Sequence, residues 1–360
     1  MIDRRMMLKG IGVATAGALA TTATASAASA EAASGSADSG STNPSTTPQH
    51  DAFQVPRGPR ARVMVFNDAF GDPDGLFAYA HALMCSSTQV TGVVSCLNRT
   101  GREASGQQSK TPATDGVAIL NEVVKRMGLT GKVPVLAGSD TVLANRTTPQ
   151  PSAAARALIA EAMRTDTTLP LFVTVGGTLT DVASAVLMEP AIANKFTLVW
   201  IGGGRYPAGG AEFNMTQDTT AAQVLFNDSN VSIWQIPSNA YAQIVTSDTE
   251  IQLNVAPCGS IGAYLWAKLV ERKKSLAWAN LGETYVMGDS PLVMVTALSS
   301  AFGGVNSSSA TFQTVNAPTI NNNGTYTANP SGRSIRVYDT IDSRLLLGDF
   351  FAKMKLNFGH

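Results

Sequence analysis

The stretch Asn67-Asp68-Ala69-Phe70-Gly71-Asp72-Pro73-Asp74-Gly75 places three carboxylates within seven residues, on a segment that also holds two glycines. Carboxylates this close repel one another unless a cation or hydrogen-bond donors stand among them. Hard oxygen donors at this density suit Ca²⁺ or Mg²⁺ rather than a transition metal. Asp, Asn, Gly and Pro are also the ordinary residues of turns, so the loop alone leaves a cation site and a plain turn both open.

Four further stretches carry groups with chemical use. Leu97-Asn98-Arg99 closes an apolar run, and the Asn98 amide can reach a sugar hydroxyl or simply make a turn. Val175-Gly176-Gly177-Thr178-Leu179-Thr180-Asp181 has glycines that let backbone approach a ligand closely, and Thr180 or Asp181 to cap a following helix. Gly202-Gly203-Gly204 is followed by Ala211-Glu212-Phe213-Asn214. In extended backbone Glu212 and Asn214 face one way, an acceptor and an amide fit for neighbouring hydroxyls. Asp289, before Ser290-Pro291, is either a helix cap or a distant carboxylate completing a cation site.

The elements that must position these groups follow from periodicity. Arg62 to Phe66, Val90 to Cys96, Val133 to Ala137, Leu169 to Val175, Phe196 to Gly202 and Val231 to Ile236 read as buried strands. Between them lie helical stretches, Leu76 to Met84, Asp115 to Met127, Ser152 to Arg164, Leu179 to Met188 and Thr219 to Asn227. Such alternation predicts an α/β fold, a Rossmann-like, largely parallel sheet with helices on both faces and right-handed crossovers. Ligands of these sheets bind beyond the carboxyl ends of the strands, where the candidate residues fall. Beyond Thr246 helices dominate, at Ile261 to Lys274 and Pro291 to Phe302. A small C-terminal β excursion, with runs at Thr311 to Val315 and Arg333 to Asp339, precedes a closing amphipathic helix at Arg344 to Leu356.

Bulk properties narrow the class. The charges balance at 26 basic against 26 acidic residues, which gives no electrostatic reason to expect nucleic acid as partner. Residues 1–30 carry Arg4-Arg5, a weakly apolar run and small residues around Ala25-Ser26-Ala27, the pattern of a twin-arginine export signal. That run is too short and too rich in Ala, Gly and Thr to make a stable membrane span. Residues 31–59, rich in Ser, Thr, Ala, Gly and Pro, read as a disordered tether before a single domain over 60–360. The expected location is therefore periplasmic or extracellular. Cys85, Cys96 and Cys258 form no CxxC, and with three histidines in the chain they argue against structural zinc. Buried free thiols, or one disulfide with an odd thiol left over, are both compatible with this spacing. His81 lies on a predicted helix and reads as structural.

Taken in order, these stretches resemble the inosine–uridine nucleoside hydrolase family and its nucleoside-hydrolase-like relatives. The Asp-rich loop stands where that family has its opening Asp-x-Asp-x-x-x-Asp-Asp. Val90 to Asn98 resembles its second strand, Leu179-Thr180-Asp181-Val182-Ala183 its Leu-Thr-Asn helix, Val199 to Gly203 its Gly-Gly strand end, and Ala211-Glu212-Phe213-Asn214 its Glu-Phe-Asn motif. The likeness runs from Arg62 to Ala301.

The resemblance implies Ca²⁺ held by Asp68 and Asp74, by a backbone carbonyl near Gly176 and by Asp289, with Asn98, Glu212 and Asn214 on the hydroxyls of a ribose. A water activated by the ion and deprotonated by a first-loop Asp, Asp68 or Asp72, would attack the anomeric carbon of a nucleoside. The base would leave from an oxocarbenium-like transition state. The chain departs from the pattern at Gly75, where the last loop Asp would stand, and at Gly288, where a His often precedes the late Asp. Arg205 and Tyr206 lie where a further Asn is usual. Tyr206, Tyr241 and Trp234 are candidates for the base pocket or for the core. These departures keep a second reading in view, a sugar- or nucleoside-binding protein of altered specificity on the same scaffold. Homo-oligomerisation is left open.

Overall fold

The computed structural model describes residues 58–279, 281–299 and 309–359. The export signal expected at 1–30 and all but the last two residues of the tether expected at 31–59 lie outside them. The strands are β1 (Ala61–Asn67), β2 (Thr88–Ser95), β3 (Val135–Ala137), β4 (Leu171–Gly176), β5 (Thr197–Ile201), β6 (Ser232–Ile236), β7 (Val245–Ser247), β8 (Thr284–Val286), β9 (Ala310–Asn316), β10 (Thr319–Ile320), β11 (Tyr326–Thr327) and β12 (Ser334–Ile341). The helices are α1 (Asp74–Leu83), α2 (Pro112–Arg126), α3 (Ala153–Ala162), α4 (Thr180–Met188), α5 (Phe213–Gln217), α6 (Thr219–Asn227), α7 (Ser238–Tyr241), α8 (Asp248–Asn254), α9 (Gly259–Ser275), α10 (Pro291–Val293) and α11 (Ser343–Phe358). Every expected strand and helix before Thr246 is present, with ends within a few residues of those read from periodicity.

The main sheet has the order β3-β2-β1-β4-β5-β6-β12-β9, parallel except for β9. All seven residues of β1 are buried, which explains its unbroken apolar run. Alternation still sorts them: Val63 and Val65 face one core, Met64 and Phe66 the other. The first core includes α1, α2, α9 and α11, the second α3, α4 and α6. Trp200 on β5 is fully buried, and its indole nitrogen donates to the Gly177 carbonyl at 3.1 Å, fixing the chain just past β4.

The C-terminal β segment is built onto this sheet. β12 pairs parallel with β6, and β9 antiparallel with β12. Ile335 and Val337 thereby enter the second core, and β6 is not left as an open edge. The short β10–β11 and β7–β8 pairs lie outside the main sheet.

The closing helix is docked through a buried polar cluster. His81 of α1 bonds Asp349 of α11 at 2.7 Å and packs on Phe350, and Lys353 donates to both Asp349 and Cys85. His81, Cys85 and Asp349 are close enough together to resemble a metal-ligand set, but the Lys353 ammonium already supplies the cation there. All three cysteines are free and buried. Among the described residues no helix is long and apolar enough to cross a membrane.

Asp181, at the start of α4, ties down the loop after β3: it accepts from Ser139 N at 2.8 Å and Ser152 Oγ at 2.7 Å, while its other oxygen has no partner. Burial pushes this carboxyl from an ordinary 3.8 up to about 6. The folded state therefore binds a proton the unfolded chain has lost, and stability falls as pH rises through that window. Asp181→Asn removes the buried charge and is expected to raise Tm at pH 7.5, by the equivalent of about 3 kcal/mol at most. The gain should shrink as the pH drops to 5, as thermal melts at the two pH values would show. A variant no more stable than the parent at pH 7.5 contradicts this account.

Candidate active site

Strand order reverses between β1 and β4, and such a switch point opens a crevice at the carboxyl ends of the strands. The parallel register sets Asn67, the last residue of β1, opposite Gly176, the last of β4. The Tyr79 hydroxyl of α1 donates to Asn67 O at 2.9 Å, with the Val94 carbonyl also beside it. The strand end is thus held by the helix that follows its loop.

Asp68, Asp74 and Asp289 are buried about this crevice, at 4%, 9% and 5% exposure, and each feels the charge of another of the three. Asp74 opens α1, where a negative group is favoured by the helix dipole. Its Oδ1 accepts from Gly75 N at 2.9 Å, and its Oδ2 accepts from Asp289 N at 3.2 Å. That second bond brings in the segment before α10 from more than two hundred residues away. Burial holds the Asp68 carboxyl well above its usual range, with the charges of Asp74 and Asp72 adding to it. Asp74 is raised likewise by burial and then by Asp289 and Asp72. Asp289 is raised by burial and by Asp68, partly offset by the nearby Asn67 amide. Among the described residues no Lys or Arg pairs with any of the three; Arg272, whose charge is felt at Asp68, pairs with Asp72 at 3.2 Å.

One feature, the close approach of backbone, suits these carboxylates to a divalent cation. A Cβ on Gly176 would lie 2.5 Å from Asn67 Nδ2 and 2.7 Å from Asp289 Cγ. Only glycine lets the end of β4 approach the carboxylates so closely. Asn67 is itself fully buried, and its Nδ2 lies beside Asp289 without hydrogen-bonding geometry to any partner. Carboxylate oxygens with backbone at hand form a hard donor set of the kind that takes Ca²⁺.

The remaining candidates surround this centre. Asp72 stands at its rim, Oδ1 accepting from the Tyr285 hydroxyl at 2.6 Å and Oδ2 from Arg272. Asn98 is adjacent to Asp68 across Gly71, but its amide is spent on the loop. Nδ2 donates to Phe70 O at 2.9 Å and Arg102 O at 3.1 Å, and Oδ1 accepts from Thr100. The extended run expected at 212–214 does not form. Glu212 is the N-cap of α5, its Oε2 accepting from Met215 N at 3.0 Å, because that carboxylate satisfies helix-start amides which extended backbone would not present. The same oxygen accepts from Gly203 N at 2.8 Å, and Asn214 Nδ2 donates to Ile201 O at 3.0 Å, so both residues are tied to the end of β5. Asp218 caps α6 and accepts from Thr180 and Leu143, a structural role. Of the three aromatic candidates, Trp234 packs on Phe172 beneath Arg336 and Tyr206 packs on the second core. Tyr241 does reach the site, donating to Glu212 Oε1 at 2.8 Å.

A family model described as inosine-uridine preferring nucleoside hydrolase matches residues 86–343, well over half of the chain. The chain belongs to that family. It is accordingly a hydrolase, and solved nucleoside hydrolases share its fold. A plant nucleoside hydrolase is 18% identical, covering 82% of this chain and 99% of its own, with a TM-score of 0.62. A purine-preferring ribonucleoside hydrolase from Gardnerella vaginalis is 15% identical over 83% of this chain and 100% of its own, at TM-score 0.62. An inosine-uridine preferring nucleoside hydrolase from Bacillus anthracis is 18% identical over 82% and 99%, at 0.55. No curated protein sequence matches.

The stretch matched by the nucleoside hydrolase model includes Asn98, Gly176, Glu212, Asn214 and Asp289 but starts beyond the loop of Asp68, Asp72 and Asp74. That loop rests on geometry. One departure has a spatial counterpart: a Cβ on Gly75 would fall 2.7 Å from Asn67 Oδ1, so Asn67 fills the room a carboxylate at 75 would need. Sequence reading passed over Asn67 because a strand-end Asn beside an Asp looks like part of a turn.

Gly176→Ala tests how tightly the strand end is packed against these groups. The added methyl meets the fixed side chains of Asn67 and Asp289, and a cost of about 1–3 kcal/mol is expected in denaturant melts. An unchanged midpoint would contradict the packing described.

Proposed function

We propose that this nucleoside hydrolase cleaves the N-glycosidic bond of ribonucleosides or related glycosides using Ca²⁺. Asp68, Asp74, Asp289 and the Gly176 carbonyl would hold the ion, and Glu212 and Asn214 would hold the ribose hydroxyls. The observation that carries this reading is the convergence of three buried carboxylates at the β1–β4 switch point, with Glu212 close enough to add to the raised pKa of Asp289. A divalent cation at such a site polarises a water and lowers its pKa.

Within that scheme Asp68 takes the proton of the attacking water. Asp72, with its oxygens engaged by Tyr285 and Arg272, is the less free base and contributes negative field. The carboxylates together favour the positive charge that develops on the sugar as its bond to the base breaks. Asn98, with its amide bonded to the Asp loop, keeps that loop in place and reaches sugar only if those bonds open. His81 is the one histidine among the described residues, and it is buried against α11. Protonation of a departing base therefore falls to another group or to water. The twin-arginine pattern at the N-terminus supports export of the folded protein, with a small-molecule nucleoside met outside the cytoplasm.

Ribose release from a panel of ribonucleosides, with Ca²⁺ and with chelator, tests the proposal. Release that chelator abolishes is expected; no release, alongside Ca²⁺-dependent ribose binding by calorimetry, would replace the enzyme reading with a binding protein. Asp74→Ala and Asp289→Ala should each remove the Ca²⁺-dependent rise in Tm and turnover together. Glu212→Gln should weaken sugar binding by about tenfold or more while Ca²⁺ affinity persists, since charged hydrogen bonds contribute roughly 1.5–3 kcal/mol. Loss of the fold in that variant would instead mark Glu212 as structural.

A further inference from the structure

We propose that Tyr241 is the positioning residue that aims Glu212 at the sugar, filling from α7 the space left open by Gly288. The inference rests on the sugar-binding role of Glu212 proposed above. It starts from the way the Glu212 carboxylate is held. Oε2 accepts from two backbone amides, Gly203 N at 2.8 Å and Met215 N at 3.0 Å, and is fully committed to the loop. Oε1 is the oxygen left to meet a ligand, and among the described residues its one hydrogen-bond partner is the Tyr241 hydroxyl at 2.8 Å.

The ring that carries this hydroxyl lies among three segments of the site. A Cβ on Gly288 would stand 3.2 Å from Tyr241 Cδ2 and 3.3 Å from Asp74 Oδ2. Glycine at 288 leaves the ring room to stand beside Asp74 and reach Glu212 without a tight contact. Tyr241 follows β6 in a short helical turn, its backbone N–H bonded to Pro237 O at 3.1 Å, so the ring's approach is set by the end of that strand. Burial and the charge of Glu212 hold the phenol well above its ordinary pKa. It thus remains a donor across the working pH range, and Oε1 keeps one lone-pair direction for a sugar hydroxyl. A group acting this way affects binding of the sugar in ground and transition states alike, so its loss appears in KM more than in kcat.

Tyr241→Phe keeps the ring and removes only the hydroxyl. Parent and variant are compared in nucleoside turnover with Ca²⁺, D-ribose calorimetry, Ca²⁺ titration and thermal melts. The expected result is a rise in KM and in the ribose Kd of about tenfold, with kcat within about twofold and Ca²⁺ affinity and Tm close to those of the parent. An active parent with KM and ribose Kd unchanged by the substitution overturns the role of Tyr241 and leaves the nucleoside reading intact. A loss confined to Tm or to Ca²⁺ affinity overturns it equally, because it marks a packing residue. A parent that neither binds ribose nor releases it from nucleosides overturns both.

Discussion

The structure is organised around the burial of three carboxylates in one crevice. Like charges held in one crevice repel one another, and the more strongly the drier the site. Asp68, Asp74 and Asp289 accept that repulsion together with desolvation. The surroundings offset part of it. The α1 terminus favours a negative Asp74, the backbone N–H of Asp289 donates to that same carboxylate, and the Asn67 amide lies beside Asp289. A divalent cation at such a site would offset far more.

Rigidity comes from the sheet. Both its faces are covered, so the ends of β1, β4 and β5 are held by core packing on each side and serve as a fixed platform. The loop between β5 and α5 has less core of its own and is buttressed from the C-terminal part of the chain. Gly210 N donates to Gly324 O at 2.9 Å, Tyr326 N to Ala208 O at 3.0 Å, and Gln235 Nε2 to the Tyr326 hydroxyl at 2.7 Å. The β10–β11 pair thus supports the loop that presents Glu212, giving a segment with little hydrophobic content of its own a definite part in the site.

Gly75 and Gly288, where the sequence departs from the pattern it resembles, both lie against side chains from elsewhere in the chain. Asn67 packs against the first and Tyr241 beside the second. The first brings a neutral amide beside the carboxylates. The second brings a phenol donor against Glu212. Both positions are thus packed by side chains of this chain.

The elements were legible in the sequence because their signals are local. A strand buried on both faces reads as a continuous apolar run, and a helix of this sheet carries its own 3.6-residue period. The Asp-rich loop, the glycines of β4 and the Glu-Phe-Asn stretch could be singled out for the same reason, since strand ends of a parallel sheet are where ligands bind. What no local pattern carries is the choice of partner. The pairing of Asp74 with Asp289, of Asp72 with Arg272 and of Glu212 with Tyr241 joins residues 29 to 215 positions apart. Whether β12 joins β6 depends on the open edge of a sheet assembled from the rest of the chain. Glu212 became a helix cap rather than part of an extended run because the amides it accepts from, Gly203 and Met215, converge only after β5 and α5 are in place. Sequence alone determined which residues bear the chemistry and which elements carry them; tertiary packing decided which of them face one another, because burial and hydrogen bonding are properties of neighbours in space.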